Sequence, residues 1–115
     1  MSQDDSLYFA HMLDTARKAV GKTEGIGRDV YDGDENLRLA LAHLVQIIGE
    51  AARRVSAKGR ASHPEIPWFE ITGMRSKIVH DYMSVDEDVV WEVVTRDLPH
   101  LITTLEKIVS PEDVE

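Results

Sequence analysis

The sequence predicts an all-α protein, an antiparallel four-helix bundle that uses residues 1–115 as a single domain. Two long apolar stripes and the lack of strand patterning predict it. Leu37, Leu41, Leu44, Ile48, Ala51 and Val55 recur at alternating spacings of four and three, which is one face of a helix. Val90, Val94, Leu98, Leu101, Leu105 and Ile108 form a second stripe of the same kind. No segment alternates apolar and polar residues as a half-buried strand does, and the connectors are short enough to join neighbouring antiparallel helices.

The first helix is expected from near Asp4 or Asp5 to about Lys22. Acids at its start complement the helix dipole, and Leu7, Ala10, Leu13, Ala16 and Val20 share a face. Gly21, Gly25 and Gly27 then mark a loop, and Tyr31-Asp32-Gly33-Asp34 reads as a turn with Asp34 as N-cap. The second helix carries the first long stripe, and Gly49 among its alanines allows another helix to approach closely. The segment from Lys58 to Pro67 is a connector, in which Gly59 can end the helix and Pro64 and Pro67 prevent its continuation. The third helix presents Trp68, Ile71, Met74 and Ile78 on one face, and its end delivers His80 and Tyr82. Ser84 and Glu87 match a capping box opening the fourth helix, which runs to about Val109 with a kink at Pro99.

Composition narrows the function classes. The chain has no cysteine, which excludes disulfides and thiolate metal sites. It has no apolar run long enough for a membrane span, and a polar, acidic start unlike an export signal, so a cytoplasmic location is expected. The net charge of −8 argues against a globally basic nucleic-acid binder. Local basic clusters remain, Arg53, Arg54, Lys58 and Arg60 in one segment and Arg75 with Lys77 in another. Either cluster can also be an ordinary solvated face.

Chemistry concentrates in Gly73-Met74-Arg75-Ser76-Lys77-Ile78-Val79-His80-Asp81-Tyr82. Arginine offers a permanent forked charge that fits phosphate. Histidine exchanges a proton near neutrality. Tyrosine offers a hydroxyl that can donate, accept or be modified. Such a set suits phosphodiester cleavage without a metal or cofactor; it also suits three amphipathic residues closing a structural helix. On a continuous helix Arg75 and His80 would point roughly 140° apart. They converge on one ligand if the helix ends between them, or if a second copy completes the site across a two-fold axis.

The Arg75-x4-His80-x-Tyr82 spacing is similar to that of the HepT-like toxins, a branch of the HEPN superfamily of small helical ribonucleases. Ile47-Ile48-Gly49-Glu50-Ala51-Ala52, His63-Pro64-Glu65-Ile66-Pro67-Trp68, Val89-Val90-Trp91 and Asp97-Leu98-Pro99 also resemble segments of that family, in the same order. The resemblance implies a homodimeric helical bundle and metal-independent RNA cleavage, with Arg75 and His80 catalytic in an interfacial cleft. It implies a partner as well: a minimal nucleotidyltransferase antitoxin that adenylylates Tyr82. That enzyme's own glycine-serine and paired-aspartate signature is absent here, so it would be a separate chain.

Two positions beside the motif depart from the family. Ser76 stands where Asn or another polar residue is common, and Asp81 where Gly is common. Serine lacks an amide's two donors. The Asp81 carboxylate can orient His80 or repel RNA phosphate. A dimeric module that binds a nucleotidyltransferase without cleaving RNA is therefore the alternative reading. A metal phosphohydrolase built on His80-Asp81 finds no supporting spacing at His11, His43, His63 or His100.

Overall fold

Ser2 opens the first helix, α1 (Gln3–Thr23), by accepting the Asp5 amide on its hydroxyl at 3.0 Å. The computed structural model of the chain describes residues 2–81 and 84–110, with backbone only for residues 80 and 81. Phe9, Met12, Leu13, Ala16 and Ala19 form the buried face of α1, whereas Leu7, expected on that face, is half exposed. The aromatic and methionine side chains make the better seam, and the true stripe is rotated accordingly. Gly25, at φ 75°, supplies the left-handed residue that lets the chain leave α1.

The expected turn at Tyr31 is instead the end of a short helix, α2 (Arg28–Asp32), which buries Tyr31 completely. Asp34 caps the next helix as expected, accepting the Leu37 amide at 3.0 Å. That helix, α3 (Glu35–Arg54), buries Leu41, Val45, Ile48, Ala51 and Ala52 and packs along α1.

The connector holds a helix the sequence reading missed, α4 (Ala57–Ser62), capped by Ser56, whose hydroxyl accepts the Gly59 amide at 2.9 Å. Gly59 therefore does not end α3; the chain turns extended already at Val55. The third helix is divided at Gly73 into α5 (Trp68–Thr72) and α6 (Met74–Ile78). Glycine weakens a helix interior, and the Thr72 hydroxyl bonds back to the Trp68 carbonyl at 2.8 Å.

Two strands, β1 (Val79–Asp81) and β2 (Ser84–Val85), pair antiparallel, with Val79 opposite Val85. No strand was expected, because segments this short show no alternation. Ser84 lies in β2, so the cap of the following helix, α7 (Glu87–Glu92), is Asp86, which accepts the Val89 amide at 3.2 Å. Instead of an α-helix running to Val109, α7 passes through a wide π turn, Val93–Asp97, into α8 (Leu98–Glu106). Pro99 explains the turn. In a regular helix its ring would press on the Thr95 carbonyl, to which it has no N–H to give. In the wide turn the Leu98 amide reaches back to Val93 instead.

The result is a helical bundle of four main runs: α1, α3, α5–α6 and α7–α8. The second stripe keeps its face through the π turn, with Val90, Val94, Leu98, Leu101 and Leu105 all buried. Among the described residues no helix is long and apolar enough to cross a membrane.

Candidate active site

The position of Arg75 follows from its neighbours. Met74 and Ile78, four residues apart on α6, are buried against α3 and α7, which leaves Arg75, Ser76 and Lys77 facing outward. The α5–α6 run can sit close because Gly49 has no side chain; a Cβ there would lie 2.9 Å from the Ile71 carbonyl oxygen. Arg53 completes the join by donating from Nε to the Thr72 carbonyl at 3.0 Å.

The helix ends between Arg75 and His80. Val79 is extended at φ −109° and ψ 106°, and its amide still closes on the Arg75 carbonyl. The offset of roughly 140° that a continuous helix would impose therefore does not apply to this segment. His80 and Asp81 continue along the backbone of β1, and Ser84 begins its partner strand. The Asp86 amide donates to the Ile78 carbonyl at 2.6 Å, closing the base of the strand pair against the end of α6. Tyr82, the expected modification site, lies outside the described residues.

Arg75 is exposed, and among the described residues its side chain has no acidic partner. The other basic residues are spread out. Arg53 is tied to Thr72 and lies 3.8 Å from Glu50. Arg54 borders a groove between α1 and α3 with Tyr8 and His11, and Lys58 and Arg60 sit on α4. Lys77 faces a cleft of about 370 Å³ between α5–α6 and α8. Glu65, Glu70 and Asp97 share that cleft, so its charge is unfavourable for a phosphate. The Arg75 side of α6 is the better anion surface.

Among the described residues, no three His, Asp or Glu side chains gather as metal ligands. His43 is exposed, and His100 is exposed at the border of the cleft. His63 is half-buried beside the Phe9 ring, with Nδ1 3.5 Å from Glu65. A polar network between α2, α3 and the start of α7, with Tyr31 at its centre, was not apparent from the sequence. Its central pair, Tyr31 and Glu87, are 56 positions apart in the chain, and no local pattern joins them.

Most of the chain is similar to known proteins. The family model described as Ribonuclease HepT-like matches residues 12–108. "Putative RNase TTE0752" of Caldanaerobacter subterraneus subsp. tengcongensis is 30% identical over 105 residues, 91% of this chain and 94% of the relative. "Probable ribonuclease HepT" of Thermococcus cleftensis is 39% identical over 75 residues, 65% of this chain and 68% of the relative. "Putative RNase MJ1380" of Methanocaldococcus jannaschii is 29% identical over 102 residues, covering 88% and 94% of the two chains. No solved structure matches the chain. With the family model matched from the middle of α1 to the end of the bundle, the chain belongs to the Ribonuclease HepT-like family.

Proposed function

We propose that this protein is a metal-independent endoribonuclease and the toxin of a toxin–antitoxin pair, acting in the cytoplasm as a homodimer. Arg75 and His80 are its catalytic pair, and Tyr82 is the tyrosine that a minimal nucleotidyltransferase antitoxin adenylylates. The observation that carries the reading is the end of α6 at Ile78, which puts an exposed arginine, without an acidic partner among the described residues, one helical turn before the strand bearing His80. Family membership supports it.

In the reaction His80 takes the proton of a ribose 2′-OH, and the freed oxygen attacks the adjacent phosphorus. The P–O5′ bond breaks, the leaving oxygen takes up a proton, and a 2′,3′-cyclic phosphate remains. Arg75 stabilises the charge that builds on the phosphoryl oxygens in the transition state. The need for a 2′-OH selects RNA over DNA. AMP on Tyr82 would bring bulk and negative charge two residues beyond His80, opposing RNA phosphate and competing for Arg75. Ser76 and Asp81 support the positions beside the pair. The sequence departures at these two residues, with the net charge of −8, favour the second reading, a binding partner of the nucleotidyltransferase that no longer cleaves.

The test uses purified protein, RNA, and expression with and without the partner enzyme. Arg75→Ala and His80→Ala should each lower RNA cleavage at least a hundredfold and abolish toxicity with helicity intact. Incubation with the nucleotidyltransferase and ATP should add AMP to the wild type and not to Tyr82→Phe, read by peptide mass spectrometry. Full activity of His80→Ala would overturn the catalytic assignment. An AMP-accepting wild type that never cleaves RNA would establish the second reading.

A further inference from the structure

Tyr31 is wholly buried although it stands on a helix of five residues. A buried phenol needs a partner for its hydroxyl. That partner is the Glu87 carboxylate, in the first turn of α7. The same turn is gripped twice more. Arg38 of α3 points Nε at Glu87 from 3.7 Å, and Arg28 of α2 bonds Asp88 at 2.7 Å. Arg28 also pairs with Asp32 at 2.7 Å and lies over the Tyr31 ring at 5.7 Å. Burial, and then the hydrogen bond to Glu87, push the Tyr31 hydroxyl well above its ordinary pKa, so it remains a donor around neutrality.

Glu87 directly follows Asp86, whose amide closes the strand pair on the Ile78 carbonyl and whose carboxylate caps α7. Strands of three and two residues do not hold themselves together in water. The pair must be held at its ends. One end is α6, fixed by buried Ile78. The other is the turn that Tyr31, Arg28 and Arg38 grip.

We propose that the hydroxyl of Tyr31, acting through Glu87, is a positioning group for the active site. It fixes the first turn of α7 and thereby sets the register of β1, which carries His80, against the end of α6, which carries Arg75. The catalytic part of this inference rests on the proposed roles of Arg75 and His80; the mechanical part does not. Tyr31 is wholly buried and acts from beneath the surface.

The experiment pairs amide hydrogen exchange with kinetics on Tyr31→Phe, which keeps the ring against Trp91 and removes only the hydroxyl. Exchange at the Asp86 amide, which bonds the Ile78 carbonyl at the base of the strand pair, should speed up at least tenfold, while core amides such as those of Leu13 and Leu41 keep their wild-type rates. In RNA cleavage kcat should fall about tenfold with KM within twofold, since orientation rather than binding is lost. Glu87→Ala, which also frees Arg38, should loosen the strands at least as much as Tyr31→Phe, and the double variant should be no worse than Glu87→Ala alone. Glu87→Gln, which retains an acceptor for the phenol, should recover most of the kcat. Unchanged exchange in the strand pair, or faster exchange spread evenly over the core, would overturn the inference. So would loosened strands with an unaltered kcat. Should the wild type not cleave RNA, the ribonuclease reading fails on its own, and local exchange alone decides whether Tyr31 holds the strand pair.

Discussion

Asp5 is the only buried charged side chain among the described residues, 3% exposed in the first turn of α1. Its carboxylate accepts the Ser56 amide at 2.9 Å and the Ser56 hydroxyl at 2.6 Å, tying the start of α1 to the junction of α3 and α4. The bond from the Ser56 hydroxyl, then that from its amide, lowers the Asp5 pKa against the opposing effect of burial. The group is thus more acidic folded than unfolded. Its stabilisation is complete above the unfolded value of about 3.9 and is lost as the pH falls through the lower folded value. Asp5→Ala should cost about 2–3 kcal/mol at pH 7, from losing hydrogen bonds to a charged acceptor. In denaturant titrations its difference from wild type should be full at pH 7 and smaller at pH 3. A difference independent of pH would mean that Asp5 acts through packing rather than charge.

Among the elements, the α3–α5 contact sets where Arg75 stands. Gly49→Ala forces its new methyl against the Ile71 carbonyl, a backbone atom that cannot swing away. Overpacking of this kind should destabilise the fold by about 1–3 kcal/mol, measured by chemical denaturation, and RNA cleavage should fall as α6 is displaced. Gly49 was legible in the sequence because its alanine neighbours sit on a long, unbroken stripe. The same holds for α1, α3 and the α7–α8 run, whose periods extend over several turns. What escaped was short. The short helices α2 and α4 have no period to read, the α5–α6 run was read as one helix without its break at Gly73, and Val79 and Val85 pair across a gap that hides their strands. Pro99 announced an interruption, but only packing shows that the backbone absorbs it as a wide turn. The Arg75-x4-His80 spacing left open whether the helix continues between them, and the structure ends it at Ile78. Tyr31 looked like part of a glycine–aspartate turn because its partner lies far along the chain.

For the whole molecule, the exposed apolar residues carry the argument about assembly. Phe69 on α5 is 86% exposed and Leu39 on α3 is 64% exposed. Large side chains so open to water are candidates for an interface, and in a two-fold dimer each contributes twice. If the proposed homodimer covers Phe69, then Phe69→Glu removes about 1.5–3 kcal/mol of burial per copy and adds charges that must be desolvated. The dissociation constant should rise a hundredfold or more, seen by sedimentation equilibrium at micromolar protein. An unchanged mass would take Phe69 out of the interface. The chain also contains two tryptophans placed in separate neighbourhoods. Trp91 lies 5.2 Å from the Tyr31 ring, while Trp68 stacks edge-on to Phe9 and gives its indole N–H to the His63 carbonyl. Excitation absorbed by Tyr31 passes to Trp91 over so short a gap, and that transfer fades as the rings part. With Trp68 replaced by phenylalanine, the colour and brightness of the remaining indole become a gauge, readable in real time, of whether the first turn of α7 is seated.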